Sequence, residues 1–129
     1  MTPPLRQILL VEDDPDIQVI ACLALEAVGG FIVEVCNSGS AALRRAPVFQ
    51  PDLILLDVMM PSMDGPTTLK ALRAIPQTAG TPVIFMTAKV QAHEIARYKA
   101  LGALDVVAKP FDPMSLSSTI SAIWASHYG

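Results

Sequence analysis

Leu53-Ile54-Leu55-Leu56-Asp57, four apolar residues closed by an acid, sets the reading of the whole chain. The run is too short for a helix and shows no alternation of polar and apolar residues, so it reads as a strand covered on both faces. Ile8-Leu9-Leu10-Val11 and Val83-Ile84-Phe85-Met86 have the same character. Two further runs, Phe31–Val35 and Leu104–Ala108, each include a charge, Glu34 and Asp105, which marks them as the sheet edges.

Working outward, amphipathic stretches near 15–28, 38–46, 65–75, 90–101 and 113–126 follow the five runs in turn. The first carries Ile17, Ile20, Ala21, Ala24 and Val28 at helical spacing, and the last carries Leu116, Ile120 and Ile123 on one stripe. Asp14-Pro15 and Asp112-Pro113 suit an N-cap and first helical turn, and Gly29-Gly30 and Gly102 suit helix ends. The strict strand–helix alternation predicts one α/β domain over residues 1–129, a doubly wound five-stranded parallel sheet. Uncharged runs in the middle and charged ones outside are compatible with the order 2-1-3-4-5.

Composition narrows the function classes. The chain has 129 residues, 52% hydrophobic and 16% charged, which suits one domain with a large core and excludes a disordered chain. The longest apolar run, Val19 to Leu25, is bounded by Gln18 and Glu26, too short to span a membrane and expected as a buried helix. Met1 to Arg6 lacks a basic region leading into an apolar segment, so no signal peptide is expected and the cytoplasm is the expected compartment. Nine basic against twelve acidic residues give a net charge of −3 and no general attraction to nucleic acid. Arg44-Arg45 reads as a solvated helix surface, and Cys22 and Cys36 read as small buried hydrophobes.

The chemistry gathers at strand ends. Glu12-Asp13-Asp14 follows the first strand, Asp57 the third, Thr87 the fourth and Lys109 the fifth. Open parallel sheets bind ligands outside the carboxyl ends of their strands, where strand order reverses, so these groups would converge on one crevice. Clustered carboxylates repel one another unless a hard cation is bound; Mg²⁺ commonly takes one or two carboxylates with waters and phosphate oxygens. A lysine and a hydroxyl beside them would receive a doubly negative phosphoryl group. Taken singly, each has a plainer role: Asp14 as a helix cap, Thr87 as a capping hydroxyl, Lys109 as a surface lysine. Asp57 is harder to set aside, because an acid among Leu56 and Val58-Met59-Met60 is costly unless paired or metal-bound.

Four blocks carry a family resemblance: Leu9 to Asp14, Leu55 to Gly65, Met86-Thr87-Ala88 and Lys109-Pro110-Phe111. In this order and at these strand ends, they resemble the signature of two-component response-regulator receiver domains over residues 7–126. The resemblance implies a flavodoxin-like (βα)5 fold. It implies that Asp57 is the phospho-acceptor, taking its phosphoryl group from a sensor histidine kinase or phosphotransfer protein. Mg²⁺ would be bound by Asp13, Asp57 and the Met59 backbone carbonyl, with Glu12 acting through water. Thr87 and Lys109 would hold phosphoryl oxygens, and small Ala88 would leave room beside them. A cis Lys109-Pro110 bond is implied as well. Met59 and Lys89 would flank the path of a hydrolytic water, apolar and long respectively, and so favour a long-lived adduct. His93 and His127 are expected on helix surfaces without a part in the chemistry.

The resemblance also has a departure. Receivers usually carry Tyr or Phe three residues before the lysine, and here that residue is Val106. The output surface is expected on helix 4, strand 5 and helix 5, for an unidentified downstream protein or a second copy, with Trp124 and Tyr128 as candidate contacts; no nucleic acid or membrane contact is expected. A Mg²⁺-dependent aspartyl-phosphate phosphohydrolase is the alternative enzyme reading, but such enzymes resembling haloacid dehalogenases place an acid two residues after the nucleophile, where this chain has Met59. A phosphorylation-independent pseudo-receiver scaffold is the third reading. The few residues from Trp124 to Gly129 leave too little chain for an output module, so a stand-alone regulator or an excised receiver is expected.

Overall fold

Alternation of side chains across the strands organises two cores, one on each face of the sheet. The protein is described by a computed structural model over residues 2–128. Its strands are β1 (Gln7–Val11), β2 (Ile32–Cys36), β3 (Leu53–Asp57), β4 (Val83–Thr87) and β5 (Asp105–Ala108). All pairings are parallel and the order is β2-β1-β3-β4-β5, which places the charged strands at the edges as their sequences required. Helices α1 (Pro15–Cys22), α2 (Gly39–Phe49), α3 (Gly65–Arg73), α4 (Ala92–Ala100) and α5 (Leu116–Tyr128) follow the strands in turn.

Leu9, Val11, Ile54, Leu56 and Phe85 point to one face, where Ala42, Ala46, Leu69, Leu72 and Tyr98 of α2, α3 and α4 cover them. Ile8, Leu10, Leu53, Leu55, Ile84 and Met86 point to the other, beneath Ala21, Leu116, Ile120 and Trp124 of α1 and α5. This two-sided burial is why the central strands read as unbroken apolar runs, and each fully buried Leu or Ile contributes about 2 kcal/mol.

Caps set the helix boundaries. The Asp14 carboxylate accepts from the Asp16 and Ile17 amides at 2.9 and 3.4 Å, and Asp64 caps α3 by accepting from the Thr67 amide at 2.9 Å. Gly30 and Gly102 adopt φ of +74° and +112° past their helices, a conformation glycine reaches without strain. Asp112 accepts from the Met114 amide at 3.0 Å but holds only a turn, and α5 begins at Leu116 rather than at Pro113. α2 continues to Phe49, three residues beyond the expected 46, with Pro47 inside it.

The first helix departs most from expectation. After Cys22 the chain runs on as a π-helix, Leu23–Val28. Ser117 of α5 explains it: its hydroxyl donates to the Ala24 carbonyl at 2.6 Å, and Gly29 leaves the space that the Ser117 side chain fills. The hydroxyl thereby takes up the carbonyl that a regular α-helix would offer to the Val28 amide. Ala21, Ala24 and Leu25 are buried at ordinary helical spacing from half-buried Ile17, while Val19, Ile20 and Leu23 are exposed and Val28, at the end of the widened turn, is turned out of the buried face. The stretch from Val19 to Leu25 is therefore only half buried, and Ile20 and Val28 do not belong to the core stripe.

Trp124 is also reassigned. It is buried in the α5 core, and its indole N–H donates to the Pro3 carbonyl at 2.8 Å, so it closes the core and offers no contact surface. Cys36 is buried, Cys22 is half-buried, and both are free thiols. Arg45 pairs with Glu34 through two hydrogen bonds of 2.8 Å, tying α2 to the edge strand rather than standing free in solvent. Among the described residues, no helix is long and apolar enough to cross a membrane.

Candidate functional site

Glu12, Asp13 and Asp57 meet where the strand order turns from β1 to β3 and offer carboxylate oxygens that all lie within 4.8 Å of one another. Each is placed by a strand end. Glu12 extends the β1 ladder, its amide donating to the Cys36 carbonyl at 3.0 Å. Asp57 ends β3 in register with Met86 of β4, and the loop that follows folds tightly over it. Gly65 makes that possible: a Cβ there would sit 2.7 Å from the Asp57 carbonyl oxygen and 2.8 Å from Val58 Cα.

Lys109 arrives from β5 and bridges the acids. Its Nζ donates to Glu12 Oε1 at 2.8 Å and to Asp57 Oδ1 at 3.1 Å. The Met59 amide donates to Asp57 Oδ1 at 3.3 Å, and the Asp14 amide to Glu12 Oε2 at 3.2 Å. Glu12 and Asp57 are buried, whereas Asp13 is half-exposed. Burial, opposed by the Lys109 hydrogen bond and aided by Asp57, pushes the Glu12 carboxyl from 4.5 up to about 7. Burial acts to lower the Lys109 ammonium, but its hydrogen bonds to Glu12 and Asp57 prevail and the net shift is upward. Three carboxylates at this separation form a hard oxygen donor set able to coordinate a divalent metal, with the nearby lysine as a second source of positive charge.

Thr87 stands at the end of β4, buried, and among the described residues makes no hydrogen bond to the acids. Its Oγ1 accepts from the Lys89 amide at 3.1 Å, and its carbonyl accepts from the Lys109 amide at 2.9 Å. Thr87 thus holds both the turn toward α4 and the chain entering Lys109. The Lys109-Pro110 bond is cis, as the resemblance implied. Ala88, Lys109 and Pro110 share an open cleft of about 330 Å³ with Ile17, Ile20 and Phe111. Met59, whose amide reaches Asp57, is 68% exposed, and Lys89, whose amide reaches Thr87, is exposed as well. Val106 is half-buried on β5 in register with Phe85, and the His93 and His127 side chains are exposed.

One supporting residue escaped the sequence reading. Gln18 donates through Nε2 to the Glu12 carbonyl at 2.6 Å and steadies the loop from inside α1. A polar residue within an apolar run was its only sequence signal, and that reads equally well as solvated surface.

Carboxylates, a lysine and a threonine thus gather at the carboxyl ends of a doubly wound sheet, with an acidic corner able to coordinate a divalent metal. The sequence pattern of the response regulator receiver domain matches residues 8–121, and the chain belongs to that family of phospho-accepting two-component regulators, which are switches rather than turnover enzymes. It is 36% identical over 117 residues to the DNA-binding response regulator MtrA of Mycolicibacterium smegmatis, covering 91% of this chain and 50% of that protein. It is 36% identical over 118 residues to the alkaline phosphatase synthesis transcriptional regulatory protein PhoP of Bacillus subtilis, covering 92% of this chain and 48% of that one. The chain thus spans about half the length of these curated relatives. Among solved structures it is similar to the Vibrio cholerae chemotaxis response regulator CheY4, with a TM-score of 0.85 at 31% identity over 93% of this chain and 99% of that one. It is also similar to the receiver domain of the sensor histidine kinase PA1611 from Pseudomonas aeruginosa, which holds a magnesium ion in its active site cleft. That match has a TM-score of 0.81 at 29% identity and covers 95% of this chain and 99% of the other.

Proposed function

We propose that Asp57 is the phospho-acceptor and that this chain is a single receiver domain, residues 1–129, working in the cytoplasm. The observation that carries the reading is the Lys109 ammonium held between Glu12 and Asp57, beside Asp13. A free Asp57 oxygen would attack the phosphorus of a phosphohistidine on a sensor kinase or phosphotransfer protein. The P–N bond breaks, the electron pair leaves with the imidazole, which takes up a proton, and Asp57 becomes an acyl phosphate. Mg²⁺, when bound, offsets the negative charge between the two anionic partners. Asp13, Asp57 and the Met59 carbonyl would hold it, with Glu12 acting through water. Lys109 then exchanges its Asp57 contact for a phosphoryl oxygen, and Thr87 turns its hydroxyl to another. Ala88 leaves the approach open.

The output is a changed binding surface on α4, β5 and α5, for a downstream protein or a second copy of the chain. Exposure to acetyl phosphate with Mg²⁺, followed by intact mass measurement, tests the reading. One stable phosphoryl adduct is the expected result, and Asp57→Asn should keep the fold and lose it. Equal labelling of the Asn variant would overturn the assignment, and sustained phosphate release would indicate a hydrolase.

A further inference from the structure

The chain's two cysteines and six methionines differ in what an oxidant can reach. The thiols are withheld. Cys36 is buried, and burial together with the charge of Glu34 pushes it up to about 11. Cys22 is half-buried, and burial together with Glu26 raises it as well. Both stay protonated near neutral pH, whereas peroxides react with the thiolate. A thioether needs no ionisation, so exposure decides which methionine reacts. Met60 and Met86 are buried. Met63 is half-buried, its Sδ packed 2.9 Å from where a Cβ on Gly39 would sit. Among the described residues that leaves Met59, 68% exposed, and Met114, 73% exposed.

Of these two, Met59 touches the acceptor. Its amide donates to Asp57 Oδ1 at 3.3 Å, so its side chain springs from backbone in direct contact with that carboxylate. It lies in the loop between β3 and α3, outside helix and strand, where an enzyme could reach it. The unbranched side chain is flexible, and its thioether is at best a weak acceptor that gives a water nothing firm to bind. A sulfoxide at the same place is polar, with an oxygen that accepts hydrogen bonds.

We propose that Met59 is a reversible oxidation site, at which a peroxide shortens the life of the phosphorylated state. The thioether sulfur attacks one peroxide oxygen, and the S–O bond forms as the O–O bond breaks. The proton on the transferred oxygen passes to the departing hydroxide, giving water and the sulfoxide. Sulfur is oxidised by two electrons and the peroxide is reduced by the same two. The sulfoxide oxygen then holds a water beside the acyl phosphate, where the thioether held none. A methionine sulfoxide reductase restores the thioether. The inference rests on Asp57 as the phospho-acceptor and adds an oxidant as a second input to that site.

The test uses the chain with Met114→Leu, which leaves Met59 as the exposed thioether among the described residues. The protein is treated with hydrogen peroxide, cleared of it with catalase, and phosphorylated with acetyl phosphate and Mg²⁺. Peptide mass mapping locates the added oxygen, circular dichroism checks the fold, and intact mass follows the adduct once the donor is removed. Oxygen should appear on Met59, and the adduct should decay about threefold faster or more than in untreated protein. Reductase treatment should return the slower rate. With Met59→Leu added, decay should be the same with and without peroxide. Failure of Met59 to oxidise, an unchanged rate once it is oxidised, or equal acceleration in the Met59→Leu protein would each overturn the proposal. Untreated protein that forms no adduct would instead overturn Asp57 as the acceptor, and this inference with it.

Discussion

Lys109 Nζ lies 2.8 Å from Glu12 Oε1, joining the end of β5 to the end of β1 across 97 residues of chain. The contact crosses two intervening strands, so it forms only when the whole sheet is in register. It also fixes the electrostatics of the pocket: an ammonium is held among carboxylates that would otherwise be buried without compensation.

Removing that ammonium tests the balance. Lys109→Met leaves Glu12 and Asp57 facing each other, and breaking a buried pair in this way costs about 3 kcal/mol or more when both acids are ionised. Near pH 5 Glu12 takes up a proton and the cost should fall to roughly half or less. Urea unfolding at both pH values measures the difference. An equal loss at both would show that Glu12 is not the group relieved by protonation.

The Glu12 carboxyl itself gives the folded protein a pH dependence. Its folded value of about 7 lies above the unfolded 4.5, so between the two the folded state binds more protons. The stability it contributes is full below about 4.5 and is lost as pH rises to about 7, a loss of up to roughly 3 kcal/mol. A divalent cation favours the ionised form and reverses the loss. Mg²⁺ should therefore raise the unfolding midpoint clearly near pH 8 and little near pH 5. An equal Mg²⁺ effect at the two would remove Glu12 from the metal site.

Sheet order and the convergence of the site were legible because both depend on strand sequences. Asp57 and Lys109 could be placed from the apolar runs before them, and Glu34 and Asp105 marked the edges. The first helix was less legible for an equally physical reason. An unbroken apolar run from Val19 to Leu25 does not say which residues face the sheet, and the exposure of Val28 follows a π turn next to the Ala24 carbonyl that Ser117 meets from 93 positions away. Helical periodicity assumes a uniform turn and cannot register a hydroxyl arriving from another helix. Trp124 was misjudged similarly, since the Pro3 carbonyl that accepts from its indole belongs to the other end of the chain.

Gly29 and Ser117 should behave as one unit. A methyl at Gly29 collides with the Ser117 side chain and approaches the Leu25 carbonyl, while Ser117→Ala leaves the Ala24 carbonyl without its buried partner. Each single substitution should cost about 1–3 kcal/mol. The double variant should cost less than their sum by at least about 0.5 kcal/mol, because Ala at 117 removes the hydroxyl, the nearest atom a methyl at 29 would meet, and leaves the 117 Cβ and the Leu25 carbonyl as the remaining close contacts. Strict additivity in denaturant unfolding would show that the two residues do not share one space.

The lifetime of the phosphorylated state depends on the rim. Met59 is exposed beside Asp57 and has no group with which to orient a water, and the long, exposed Lys89 side chain follows Thr87 by two residues. Met59→Asn with Lys89→Glu supplies an amide and a carboxylate that can hold water in line with phosphorus. The adduct should then decay about tenfold faster or more, a barrier change of roughly 1.4 kcal/mol. Intact mass followed over time after removing the phosphodonor gives the rate. An unchanged rate would place water access elsewhere.

Transmission away from the site runs through Thr87, whose Oγ1 now accepts from the Lys89 amide at 3.1 Å. If that hydroxyl turns to a phosphoryl oxygen, the Lys89 amide loses its partner and the turn into α4 is released. A hydrogen bond to a charged acceptor is worth about 1.5–3 kcal/mol net, enough to shift a two-state turn by roughly tenfold or more. Val106 has neither a ring to swing nor a hydroxyl to reposition, and it packs in register with Phe85 as part of the sheet. Coupling in this chain should therefore pass along the backbone from Thr87 to Lys89 and into α4, with β5 following through the Thr87 carbonyl that holds the Lys109 amide. Phosphorylation should move the amide resonances of Lys89 and of residues 90–100 more than that of Val106. Val106→Ala should leave those shifts in place, whereas Thr87→Ala should abolish them while Asp57 is still labelled. Shifts confined to the acids and Lys109, with α4 silent, would show that this receiver takes up phosphate without passing the change to its surface.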